Sequence, residues 1–152
     1  MENLNEQELV AFDYARTGKT QDLKDLLNSG ISVNLCNEKG NSLIMLASYN
    51  GKLETTQMLI SFGANVDKKN FKGHTPLAGV SFKGYFEIAK LLVKAGANIY
   101  ENQGFGLTPI LFASLFGNTQ IVEFYLGEKN SSFKGKIYLG ISKLIALFKK
   151  KK

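Results

Sequence analysis

Apolar residues return along this chain at a fixed interval of 33 positions. One column reads Leu26, Leu59, Leu92 and Tyr125, and the next reads Leu27, Ile60, Val93 and Leu126. Three glycine ladders keep the same interval: Gly18, Gly51, Gly84 and Gly117; Gly40, Gly73 and Gly106; Gly30, Gly63 and Gly96. A period of this length marks stacked supersecondary units, none of which buries its apolar face alone. Between the glycines, residues 53–62, 86–95 and 119–125 align without gaps and read as the second helix of each unit. Thr75-Pro76 and Thr108-Pro109 predict helix starts, because threonine caps well and proline is tolerated in the first turn. Gly63 and Gly96 stand where a helix ends and a left-handed residue is wanted.

The segments after the second ladder read Gly40-Asn-Ser-Leu-Ile-Met-Leu-Ala47, Gly73-His-Thr-Pro-Leu-Ala-Gly-Val80 and Gly106-Leu-Thr-Pro-Ile-Leu-Phe-Ala113. Gly-Ala-Asn recurs at 63–65 and 96–98. Over residues 5–129 the chain resembles the ankyrin-repeat family. The resemblance implies an all-α fold, an ankyrin-repeat solenoid of helix-turn-helix repeats joined by β-turn fingers. The units fall at 4–36 (an N-terminal capping repeat), 37–69, 70–102 and 103–129, within one domain spanning 1–152. Glu6-Gln-Glu-Leu9 replaces the turn motif in the first unit, as suits a cap whose outer face meets water. The fourth unit ends differently, with Lys129 at the expected glycine and a polar connector at 130–132. Residues 137–148 then place Ile141, Leu144, Ile145 and Phe148 on one helical face, which reads as a closing helix within 130–152.

Composition narrows the function. The apolar fraction of 44% and charged fraction of 21% are those of a folded globular chain. One cysteine, Cys36, and one histidine, His74, supply neither a disulfide framework nor a His/Cys zinc site. The first nine residues are acidic and lack a signal peptide's basic and apolar segments, and no run approaches a bilayer span. A cytoplasmic monomer is the expectation. The net charge of +6 is unevenly placed: residues 129–152 hold eight lysines and no acid, while residues 1–128 carry a net −2. With Arg16 the one arginine, specific nucleic-acid reading loses its support. No nucleophile–base pair or phosphate loop is visible, so no enzyme activity and no cofactor are expected.

In the ankyrin family partners bind at the turn tips and the inward, concave face of the first helix, and the resemblance carries those places onto this chain. The two positions before Gly51, Gly84 and Gly117 are Tyr49-Asn50, Phe82-Lys83 and Leu115-Phe116, and the tips add Phe71, His74, Phe105 and Leu107. These ten residues are the candidate partner-binding set, since contiguous apolar surface and aromatic residues mark interfaces. Gly79, inside a predicted helix beside Ala78, reads first as a site of close helix packing.

Two strings are more particular: Lys39-Gly-Asn-Ser-Leu-Ile-Met-Leu-Ala-Ser-Tyr-Asn-Gly51 and Thr75-Pro-Leu-Ala-Gly-Val-Ser-Phe-Lys-Gly84. With Phe112-Ala-Ser-Leu-Phe-Gly117 they look like small bacterial ankyrin proteins, some encoded beside a catalase. The resemblance implies a non-enzymatic protein-protein interaction module, with a haem catalase in peroxide defence as a partner. The alternatives are a haem-binding carrier using His74, Cys36 or a tyrosine, and a secreted effector acting on host proteins. For the lysine-rich end, favourable interaction with a helix dipole carries the most weight. Membrane contact and an acidic partner stand behind it.

Overall fold

The computed structural model describes residues 5–127 and 133–150. Position 4 of the first unit, Lys129, the connector at 130–132 and the last two lysines lie outside the described residues. The chain divides between Pro76 and Leu77 into two compact units.

The first unit contains α1 (Glu6–Thr17), α2 (Thr20–Asn28), α3 (Leu43–Tyr49) and α4 (Leu53–Ser61). The side chain of Asn5 accepts from the Glu8 amide at 2.9 Å, and the Glu8 carboxylate accepts from the Asn5 amide at 2.8 Å. This reciprocal cap satisfies two donors that the first turn of α1 would otherwise leave orphaned. Ser42 caps α3 by accepting from the Met45 amide. α1 packs on α2 and α3, α3 on α4, and α2 on α4.

The second unit holds most of α5 (Pro76–Lys83), then α6 (Phe86–Lys94), α7 (Pro109–Leu115), α8 (Thr119–Leu126) and α9 (Phe133–Lys150). Thr108 caps α7 through the Leu111 amide, and Pro109 occupies its first turn. α8 packs on α6 and α7, and α9 lies across α7 and α8.

The second helices close as the glycines predict. Gly63 has φ +82°, donates to the Ile60 carbonyl at 2.9 Å, and is followed by Ala64 donating to Leu59 at 3.0 Å. Gly96 and Ala97 repeat the pattern on Val93 and Leu92. The paired bonds satisfy carbonyls stranded at the helix end, and the next alanine is buried in each case.

The β-turn fingers expected between units do not form. Among the described residues there is no strand, and one isolated antiparallel bridge joins Cys36 and Ser42. Asparagine side chains take the amides that a strand partner would need. Asn37 Oδ1 accepts from Lys39 and Asn41, and Asn70 Oδ1 accepts from Lys72 and His74, all at 3.0 Å. Such local bonds compete directly with a sheet ladder. The connections 37–41 and 70–74 are asparagine-pinned loops.

Burial follows the 33-residue register closely, and one of its buried columns is mostly polar. Leu59 and Leu92 are fully buried, while Leu26, Ile60, Val93 and Leu126 are half-buried. Three other columns are wholly buried: Ala11, Ile44, Leu77 and Ile110; Leu23, Thr56, Ala89 and Val122; and Ala15, Ser48, Ser81 and Ser114. The serines enter the core because they are small and their hydroxyls are satisfied. Ser48 bonds the Met45 carbonyl and Ser114 the Ile110 carbonyl, within their own helices.

Ser81 instead meets the Tyr125 hydroxyl at 2.7 Å. Burial pushes the Tyr125 phenol above its usual value, partly offset by this bond. A raised phenol pKa in the folded state means stability present below pH 10.0 and lost as pH rises beyond it. The stability difference between wild type and Tyr125→Phe should therefore shrink or reverse above that pH in urea melts. At neutral pH, Ser81→Ala leaves the phenol unpartnered and should cost about 1–3 kcal/mol. No loss in Ser81→Ala would contradict the pairing.

Candidate functional site

In the first unit the loops 37–41 and 70–74 lie against each other. Asn70 Nδ2 donates to Asn41 Oδ1 at 2.8 Å, and the Phe71 amide donates to the Lys39 carbonyl at 3.2 Å. The Phe71 ring is 76% exposed, yet its edge crosses Gly40. A Cβ on Gly40 would stand 2.7 Å from Phe71 Cδ1 and 2.9 Å from its amide nitrogen. Glycine at this position thus lets the two tips approach and present the ring. Lys39 and Lys72 are exposed beside it, and His74 is exposed with its amide held by Asn70. Tyr49 ends α3 with its side chain 42% exposed, and Asn50 caps that helix by donating to the Leu46 carbonyl.

The second unit carries its own set. Phe82 and Phe116 meet edge to face, centroids 4.4 Å apart, so each ring covers part of the other. Phe82 is still 39% exposed and Leu115 44%, with Lys83 exposed beside Phe82. Asn118 fixes this corner by donating to the carbonyls of Ser81 and Phe82. Of the ten sequence candidates, Tyr49, Asn50, Phe71, His74, Phe82, Lys83, Phe105 and Leu115 are exposed, while Leu107 and Phe116 are half-buried.

The loop 103–107 differs from the two asparagine-pinned loops. Gln103 stands where they have Asn37 and Asn70, and its longer side chain is buried, donating to the Glu101 carbonyl. Asn102 Oδ1 accepts from the Gly104 amide, and Gly104 and Phe105 both take positive φ, with Phe105 at +52° and its ring fully exposed. A left-handed phenylalanine costs about 1–2 kcal/mol, and an exposed ring recovers none of it by packing. Phe105→Gly should preserve or raise the thermal midpoint, the gain in stability being less than about 1 kcal/mol once glycine's chain entropy is counted. A clear drop in that midpoint would mean the ring packs in the free protein.

Tyr100, 56% exposed in the same connection, was not among the sequence candidates. It stands in the column of Asp67, and an aromatic replacing a charged residue at the same register was the available signal.

Two of the residues proposed for haem ligation, His74 and Cys36, lie between helices. His74 is exposed in its loop, and Cys36 is half-buried with its thiol on the Asn34 carbonyl. A cleft of about 220 Å³ beside Gly84, Phe86 and Asn118 is open and smaller than small-molecule sites generally are. Among the described residues no group of three or more His, Cys, Asp or Glu side chains could hold a metal ion, and no helix is long and apolar enough to cross a membrane.

Comparison with known proteins gives a family and a relative. One relative is the ankyrin repeat protein PA3287 of Pseudomonas aeruginosa, 51% identical over 51 residues. That stretch is 32% of this chain and 30% of the relative, so the chain matches under a third of the relative's length. The family description "Ankyrin repeats (3 copies)" matches residues 12–103, more than half of the 152 residues. The chain belongs to the ankyrin-repeat family.

Proposed function

We propose that the chain docks a protein partner through the exposed residues of its loops and first-helix ends: Tyr49, Phe71 and His74 in the first unit, Phe82, Phe105 and Leu115 in the second. As an ankyrin-repeat protein it is a protein–protein interaction module on a non-catalytic scaffold. The observation that carries the choice of residues is Phe105. A fully exposed aromatic held at φ +52° is a cost to the free protein that binding would offset. Lys39, Lys72 and Lys83 are exposed near the aromatic residues and favour a partner surface with carboxylates.

Photo-crosslinking tests this reading. A benzophenone side chain at position 71 or 105 should capture a protein that the same group at Gln57 or Gln120, exposed on α4 and α8, does not. Equal capture from all four positions would reject it. The narrower partner, a haem catalase, rests on the strings at 39–51, 75–84 and 112–117. Saturable binding of a purified catalase from a bacterium carrying this gene supports that partner, and no binding rejects it.

A further inference from the structure

We infer that the outer face of α9 is a docking surface for an anionic lipid bilayer, on which the helix lies without crossing. The helix seats on α7 and α8 by one face. Ser142 is fully buried and shares a 2.8 Å hydrogen bond with Thr119. Ile145 and Ala146 lie against Gly117, where an added Cβ would come within 3.0 Å of both. Lys149 donates to the Phe116 carbonyl. These positions recur at helical spacing and define the inward side.

The opposite side is apolar and open. Ile137, Leu144, Leu147 and Phe148 are 45–65% exposed, and the exposed Gly140 lies among them. They form a stripe about 17 Å long, at 1.5 Å per residue. Lys136, Lys143 and Lys150, spaced seven apart and all exposed, line one flank, and Lys134 stands on the other. Four large apolar residues of the helix thus face solvent, while Ser142, Ile145 and Ala146 are seated inward.

Charge decides among occupants. No acid occurs in residues 129–152, so a second copy of this face would set lysine row against lysine row. The outward polar groups of α9 are lysine ammoniums, which recognise charge without directional geometry. An anionic headgroup layer above acyl chains offers the matching pair of surfaces. No described helix is suited to spanning, which leaves the interface as its place.

The test uses the whole chain with phosphatidylcholine vesicles made with and without phosphatidylglycerol. Sedimentation should carry the protein down with the anionic vesicles only, and added salt should release it. L144S/L147S should abolish binding, and K136Q/K143Q/K150Q should weaken it roughly a hundredfold, at about fivefold per lysine. The chain has no tryptophan, so Phe148→Trp provides a single reporter whose emission should shift to the blue on anionic vesicles. Circular dichroism matching wild type in each variant shows that the seated face is intact. Absence of sedimentation, equal sedimentation with neutral vesicles, or undiminished binding by L144S/L147S would overturn the proposal. So would a concentration-dependent dimer, or capture of an acidic protein, in a chain that ignores anionic vesicles.

Discussion

Leu92→Ala should destabilise the protein by about 2–5 kcal/mol, while Leu115→Ala should cost under about 1 kcal/mol. The two substitutions delete the same atoms. Leu92 is fully buried in α6, so its removal loses transfer energy and leaves a cavity that the neighbouring helices fill only in part. Leu115 ends α7 with 44% of its surface in water, and solvent takes the place of the lost methyl groups. A domain of this size has a net stability of roughly 5–15 kcal/mol, so the first change removes a large share. Urea melts of both variants check the prediction. Similar losses would mean that the register does not separate core from surface.

The second large effect concerns Gly40. Gly40→Ala should cost about 2–4 kcal/mol, from a left-handed φ of +72° together with the close approach of Phe71. Gly63→Ala is the matched comparison, because φ is similar at +82° but nothing lies within 4 Å of an added Cβ. It should lose only the backbone term, about 1 kcal/mol. The surplus at Gly40 measures the contact between the two loops. Phe71 cannot relieve the clash by rotating its ring alone, since the amide nitrogen stands 2.9 Å from the new atom. The Phe71 amide must move off the Lys39 carbonyl, and the ring moves with it. Losses equal within error would contradict the close approach.

Local signals were the most legible in the sequence. Gly63 and Gly96 announce helix ends because the left-handed closing residue is a property of a few neighbouring peptides. Thr108-Pro109 announces α7 for the same reason. The ten candidate residues came from the places where the family resemblance puts partner contacts, and eight of them are exposed. What hydrophobicity could not reveal is the column Ala15, Ser48, Ser81 and Ser114, buried through small size and local hydrogen bonding. Its period was visible, but its polarity argued for the surface.

The closing segment was read with two of its four inward residues misplaced. The rule that apolar faces turn inward placed Ile141, Leu144, Ile145 and Phe148 together against the last unit. Leu144 and Phe148 are exposed, and the seat is made by Ser142, Ile145, Ala146 and Lys149. α9 carries large apolar residues around most of its circumference, so periodicity could not choose the inward side. The choice falls to fit, since Gly117 tolerates close approach and Thr119 and the Phe116 carbonyl supply partners. The loops were misjudged for a related reason. β-turn fingers were expected from the family pattern, whereas Asn37 and Asn70 hold loop amides with their side chains.

The most direct test of the binding assignment compares wild type with Y49A/F71A and with F82A/F105A in affinity capture from the native bacterium. The captured protein is identified by mass spectrometry, and urea melts confirm that each variant remains folded under capture conditions. The account predicts that a partner held by wild type is lost from at least one folded variant. Retention of that partner by both variants would contradict it.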